Sequence, residues 1–339
     1  MSTVLALSSG WRLAVKMNSK HLRKRESFQL FPEPPFHFDA TFHKPSHFPA
    51  PITVWEPDFY WMTLHLGPSL CGLRIENAGT KGRPTIKVSV FSDHRILQSE
   101  VVALKTELTW RFDLAADLND FEKAALIDAR FRPVFRRWRG TRDSWHGTLY
   151  ELLVISVLLQ NATVRRTVQM LQALLDAFGT RVRFDSKALF VMWEPDHLRG
   201  VSEGDLRALR LGYRARFLKR LSQDFANGTV DEISLRTMEL DRARKELIKL
   251  YGVGPETARI LLYPACHQHE RLRHVAPWQR KIYSRIFYEK PLVPVRKILS
   301  DLNKRYGTFA GLATHYVWED LFWRHQHKSI PWLAKEIRL

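Results

Sequence analysis

The chain has 339 residues, 45% of them hydrophobic, which is enough for a sizeable core and, by length, about two domains. Its 53 Lys and Arg against 35 Asp and Glu leave a formal net charge of +18, favouring a polyanionic partner through long-range attraction and counterion release. No apolar run reaches the ~18 residues of a membrane span, and no leader pattern follows the basic stretch LRKR at residues 22–25. These features set nucleic acid above a membrane as the partner. Cys71 and Cys266 are the only cysteines, too few for a four-thiolate iron–sulfur cluster, and no Cys/His spacing suggests zinc. No metal or cofactor is expected, and a reducing, intracellular setting is the natural reading.

Residues 1–30 are basic and weakly patterned, which predicts a partly disordered or loosely packed lead-in. Residues 31–115 read as a small antiparallel sheet domain covered by a helix or two. Residues 35–42 (PFHFDATF), 59–66 (FYWMTLHL), 70–77 (LCGLRIEN) and 85–91 (TIKVSVF) alternate or run in β-branched and aromatic residues, with Gly and Pro between them. Residues 116–339 read as a larger helical domain. Helices are expected at 120–130, at 149–159 (nearly all apolar, so buried), at 164–178 closed by Gly179, and at 214–227 ended by Gly228. A capping box at Ser202 and Asp205 starts a short helix between the last two. Further helices are expected at 278–287, 295–306 and 309–324. The fold class is α+β, without internal repeats or low-complexity tracts.

The most informative stretch is residues 247–262 (LIKLYGVGPETARILL), inside a helix–turn–helix unit at 241–265 that Asp241 is expected to cap. Gly252 and Gly254 permit a sharp turn and close approach to a ligand. Pro255 suits the first position of the second helix. Bare amides at that helix start form a seat for a phosphate. A Gly-x-Gly turn alone is weak evidence, since such turns are common.

In its full form, hydrophobic-x-Gly-Val-Gly-x-x-Thr-Ala, the stretch resembles the helix-hairpin-helix of DNA base-excision glycosylases. Other segments extend the resemblance across roughly residues 35–325. His274-Val275-Ala276-Pro277 and residues 278–285 (WQRKIYSR) are similar to the segment that follows the hairpin in that superfamily. Residues 152–167 (LLVISVLLQNATVRRT), 211–220 (LGYRARFLKR) and 306–322 (YGTFAGLATHYVWEDLF) resemble the 8-oxoguanine branch, whereas PFHFDATF resembles the start of the 3-methyladenine branch. The resemblance implies a protein that acts as a monomer on double-stranded DNA containing damaged bases, flips such a base out and hydrolyses its N-glycosidic bond.

Two departures qualify this. Ala276 stands where the family carries its catalytic aspartate, and Glu256 stands where the bifunctional branch carries its Schiff-base lysine. Without that lysine an active enzyme would be monofunctional, with water as nucleophile. The missing aspartate removes a stabiliser of oxocarbenium charge, and three readings stay open. Glu256 can supply the carboxylate, or serve only as an acidic residue at a helix start. His274 can position water or phosphate, or be a surface histidine. The third is a lesion-binding or architectural protein that keeps DNA binding and has lost the chemistry.

The resemblance also implies roles for other residues, each with a plainer alternative. Gln160 and Asn161 fall where the wedge loop enters the duplex, and Arg165 matches an arginine that contacts the opposite base; helix-end hydrogen bonding or a solvated charge would explain them equally. Trp278 and Trp318 are candidate walls of the base pocket, with core packing as the alternative. Lys249, Gly252, Gly254, Arg259, Arg280 and Lys281 are candidate contacts to the DNA backbone, although a charge run is often only a solvated face. An RNA-binding helical protein is a further rival.

Overall fold

A computed structural model describes residues 19–67 and 69–336. Strands β1 (Lys20–His21) and β2 (Arg23–Leu30) come first, then helix α1 (Phe38–Phe42) and strands β3 (Thr53–Glu56), β4 (Phe59–Leu66), β5 (Ser69–Asn77) and β6 (Ile86–Ser92). The five longer strands form one antiparallel sheet in the order β2-β6-β5-β4-β3. Helices α1 and α2 (Gln98–Arg111) cover one face, burying Phe38, Phe42, Leu104 and Leu108 against Met62, Leu73 and Val88.

Two expectations are corrected here. Residues 20–30 were expected to be a loose lead-in, but they form strands: Phe28 and Leu30 point into the core while Ser27 and Gln29, which alternate with them, face water. Residues 1–18 lie outside the described residues. PFHFDATF was expected to be a strand, but residues 38–42 form a helical turn, because the His37 ring accepts from the Ala40 amide and nucleates it.

The helical part runs α3 (Asn119–Ile127), α4 (Arg132–Trp138), α5 (Leu149–Leu159) and α6 (Val164–Phe178). A hairpin follows, β7 (Thr180–Phe184) and β8 (Lys187–Val191), where only helix was expected. It is tied back to the N-terminal segment, β1 pairing in parallel with β7. Its inner face packs Val182, Phe184, Leu189 and Val191 on Leu22, Trp61, Leu70 and Phe91. Gly72 makes this fit possible: a Cβ there would lie 2.5 Å from the Phe184 ring.

Helices α7 (Glu203–Ala208), α8 (Arg214–Ala226), α9 (Glu232–Arg236), α10 (Leu240–Lys249) and α11 (Pro255–Cys266) then pack with α5 and α6 around one apolar core. A second core joins α3 and α4 to α12 (Pro277–Tyr288), α13 (Val295–Tyr306), α14 (Ala310–His327) and α15 (Pro331–Glu336). The apolar run expected to be a central helix is α5, and it is buried on nearly every side. Among the described residues no helix is long and apolar enough to cross a membrane.

The loop from α4 to α5 binds these bodies together. Arg142, almost wholly buried, donates to the carbonyls of Glu33 at 2.7 Å and Asp113 at 3.2 Å. The Lys44 ammonium donates to the carbonyls of Ala40 at 2.7 Å and Arg142 at 2.6 Å. Sheet and helices thus meet over a fixed polar seam, which forms the inner end of the cleft described next.

Candidate DNA interface and base cleft

The hairpin between α10 and α11 is built as its glycines require. Gly252 has φ +88°, and a Cβ there would also meet the Phe217 ring at 2.9 Å. Gly254 is extended and faces open space, and it precedes Pro255 at the first position of α11. No side chain caps α11, and the amides of Gly252 and Gly254 make no hydrogen bond among the described residues. A ring of unused donors at the positive end of a helix is suited to an anion. The cap of α10 corrects an expectation: Glu239, not Asp241, accepts from the Asp241 amide at 3.0 Å and the Arg242 amide at 3.1 Å.

Beside the hairpin opens a cleft of about 1120 Å³ between the sheet and both helical cores. Its outer part is lined by Leu159, Val164, Thr257, Arg259, Ile260 and Trp278; its inner end carries Lys44, Ser46, His47, Asp143, His315 and Glu319. Trp278 and Trp318 both line it. Their ring centroids are 4.7 Å apart with the planes at 49°, so they touch and form one continuous wall instead of two facing plates. Trp278 keeps 42% of its surface exposed.

The other candidates are distributed around this mouth. Glu256 stands in the first turn of α11, paired to Arg259 at 2.7 Å. That hydrogen-bonded guanidinium holds the Glu256 carboxyl below its usual range against the opposing effect of burial, and His274 acts in the same direction. Glu256 and the exposed His274 are not among the lining residues, although Thr257 and Arg259 are. Ala276 caps α12, and its amide donates to Gln279 Oε1 at 2.9 Å.

Gln160 donates from Nε2 to the Gly252 carbonyl at 2.9 Å, so it braces the hairpin. Asn161 follows with φ +48°, exposed at the tip, its amide 3.4 Å from the Tyr213 hydroxyl. Arg165 is exposed and makes no hydrogen bond or ion pair among the described residues. Lys249 is paired with Glu246 at 2.7 Å, and Arg280 donates to the Val293 carbonyl at 2.7 Å. Lys281 lies on the exposed side of α12.

The inner end of the cleft was not anticipated from sequence. His43, His47, Asp143, His269, His315 and Glu319 come from four separate segments, so no spacing marks them. Burial pushes His43 down to about 4 and His146 down to about 3, leaving both neutral near pH 7. It likewise lowers Lys44 to about 8. Among the described residues no three His, Cys, Asp or Glu side chains are grouped to hold a metal ion.

Comparison with known proteins agrees with this architecture. No protein-family model matches the chain. It is 23% identical over 235 residues to the DNA-3-methyladenine glycosylase of Bacillus subtilis, covering 62% of this chain and 78% of that relative. It is 25% identical over 236 residues to the probable N-glycosylase/DNA lyase of Methanothermobacter thermautotrophicus, covering 63% and 73%. The 3-methyladenine DNA-glycosylase structure from Archaeoglobus fulgidus superposes with a TM-score of 0.67 at 15% identity, covering 89% of this chain and 99% of that one. Fold and cleft define a two-lobed α+β helix-hairpin-helix protein. In sequence the chain is thus similar to DNA-3-methyladenine glycosylases and N-glycosylase/DNA lyases, and in fold to solved glycosylases of the 8-oxoguanine and 3-methyladenine kinds.

Proposed function

We propose that this protein is a base-excision repair glycosylase that binds double-stranded DNA as a monomer inside the cell, draws a damaged base into the cleft and cleaves its N-glycosidic bond with water. One observation carries the reading: the first turns of α11 serve both features at once. The free amides of the hairpin end at Gly254, and Thr257, Arg259 and Ile260 immediately beyond line the cleft. A phosphate seated on those amides therefore has its nucleotide beside the opening. The glycosylase names of both sequence relatives support the same activity.

The residues divide the work by position. The Gly252 and Gly254 amides hold phosphate, with Lys249, Arg259, Arg280 and Lys281 adding positive charge around them. Asn161, at a tip braced by Gln160, enters the duplex, and Arg165 beside it meets the opposite strand. The extruded base stacks on the wall of Trp278 and Trp318. Glu256, ionised at the mouth, stabilises the positive charge that develops on the sugar as the C1′–N bond breaks. Water adds at C1′, steered by His274, and its proton leaves with the departing base. No amine stands at the hairpin position from which a Schiff base forms, so the strand is left uncut.

Ala276 favours a second reading, a protein that recognises lesions without cutting, because alanine can neither stabilise charge nor orient water. Single-turnover release of free base from duplexes carrying alkylated, deaminated or oxidised bases separates the two. The glycosylase reading expects release from at least one of them; binding to lesions without release from any establishes the other.

A further inference from the structure

A strip of positive charge crosses the small sheet of β1, β7 and β8. Lys20, His21, Arg23 and Lys24 come from the start of the described chain, Arg181 and Arg183 from β7, and all six are exposed. The strands β1 and β7 are parallel, with His21 opposite Arg183. Leu22, Val182 and Phe184 turn into the core, so His21, Arg23, Arg181 and Arg183 fall on the outer side. The side chains of Lys20, Arg23, Lys24 and Arg183 make no ion pair or hydrogen bond among the described residues. Arg181 meets only the Phe190 ring, 5.3 Å from its centroid, which leaves the guanidinium N–H donors unused.

Gathering these cations costs repulsion, and no acid offsets it. Strand geometry sets Arg181 and Arg183 about 6.6 Å apart. Residues 1–25 and β7 contain no Asp or Glu, so neither the preceding segment nor β7 itself can neutralise the strip. Glu26 accepts from the Ser27 amide at 2.9 Å, and Asp185 is taken by Trp61 at 2.8 Å and Arg74 at 3.3 Å. At the hairpin, by contrast, Lys249 and Arg259 are each paired with a glutamate. A surface left with this much unpaired charge is suited to a polyanion. It also lacks the exposed apolar anchors of a protein interface, since no large hydrophobic residue of β1, β7 or β8 is exposed.

The strip faces away from the cleft. Phe42, Tyr60 and Phe112 line the cleft and belong to the core on the α1–α2 face of the five-stranded sheet. The β7–β8 hairpin packs through Trp61, Leu70 and Phe91 on the other face, so the sheet stands between. Helix α6 gives the scale: Val164, at its start, lines the cleft, and β7 begins two residues after its end. Its 15 residues, at about 1.5 Å each, put roughly 20 Å between the two. We infer that the strip is a second DNA-binding surface, which takes the backbone phosphates of a separate duplex segment while the hairpin holds the first. The inference rests on the DNA binding proposed above for the hairpin. A protein so built bridges two segments and can pass between them without first letting go.

The test needs no turnover. Wild type is loaded on an undamaged duplex fixed to beads, and capture of a second, fluorescent duplex from solution is measured across a salt series. Capture should occur and should weaken steeply with salt. Arg181→Glu with Arg183→Glu should cut capture about tenfold or more. Its affinity for a single duplex, read by anisotropy, should stay within about threefold of wild type, because roughly 20 Å exceeds two Debye lengths of about 8 Å at physiological salt. Arg23→Glu with Lys24→Glu, on the neighbouring strand, should act alike, and melting temperatures near wild type show that both variants fold. Mass photometry of the bridged complex should give one chain and two duplexes.

No capture by wild type, capture unchanged in both folded variants, or two chains in the bridged complex overturns the inference and leaves the glycosylase reading intact. So does an equal loss of single-duplex affinity, which would place the strip inside the first footprint. Displacement of the second duplex by polyglutamate as readily as by unlabelled DNA overturns it too, marking the strip as a site for acidic peptide. Failure of wild type to bind any duplex overturns both readings.

Discussion

Gln160 Nε2 donates to the Gly252 carbonyl at 2.9 Å, while the Gln160 carbonyl accepts from the Tyr213 hydroxyl at 3.2 Å and from the Arg214 guanidinium. One side chain at the end of α5 therefore ties the candidate wedge to the turn that would hold phosphate. Replacement by alanine should cost about 1 kcal/mol of stability, the net worth of one partly buried hydrogen bond. It should also weaken binding to damaged and undamaged duplexes together, because it loosens the anchor. Chemical denaturation and anisotropy titrations on the same variant check both; weaker binding to damaged DNA alone would instead give Gln160 a direct contact at the lesion.

The two hairpin glycines should behave differently. Gly254→Val meets open space, so folding should be nearly unaffected while duplex affinity falls for every sequence, with the salt slope reduced by about one unit if one phosphate contact is lost. Gly252→Val places a β-branched residue at φ +88° against the Phe217 ring, so the melting temperature itself should drop. Unchanged duplex affinity in Gly254→Val would show that DNA is anchored elsewhere.

At Glu256, conversion to glutamine removes the charge and keeps the size. Base release should slow by at least about a hundredfold, as when one electrostatic stabiliser is lost, while abasic-site affinity stays close to wild type. Borohydride should trap no covalent complex with abasic-site DNA. A strong trapped band would mean that another amine, such as Lys249 or Lys281, attacks the sugar.

Stability should depend on pH through the buried histidines. Burial lowers His37 and His43 to about 4 and His146 to about 3, so the folded chain resists protonation that the unfolded chain accepts near 6.5. Stability is therefore fully present above pH 6.5 and lost as pH falls from 6.5 toward 4. Melting temperatures across that interval should decline steeply, and His146→Gln should flatten the decline. A flat profile would contradict the burial of neutral imidazoles.

Much of this was legible in the sequence because it is local. The Gly-Val-Gly-Pro turn forces its own geometry, the apolar run of α5 can only be buried, and the Ser202–Asp205 capping box forms as expected. What was missed depends on distant partners. The β7–β8 hairpin exists because Phe184 finds the space above Gly72, and β1 takes shape by pairing with β7 more than 150 residues later. The contact between Trp278 and Trp318 was hidden for the same reason, as was Asp143, which only tertiary packing brings beside His315.

Ala276 bears most directly on the proposed chemistry. Its backbone already has the extended form of a helix N-cap, a position that favours aspartate by about 1 kcal/mol over alanine. Ala276→Asp should therefore raise the melting temperature slightly and, if the geometry of the mouth is intact, speed base release. The most direct measurement is single-turnover release of free base by the wild-type chain and Ala276→Asp, on one panel of alkylated, deaminated and oxidised duplexes. The account predicts measurable wild-type release from at least one substrate, leaving an uncut abasic strand. Zero wild-type release on the whole panel, with activity appearing only in Ala276→Asp, would contradict it and mark the protein as a lesion binder that no longer cuts.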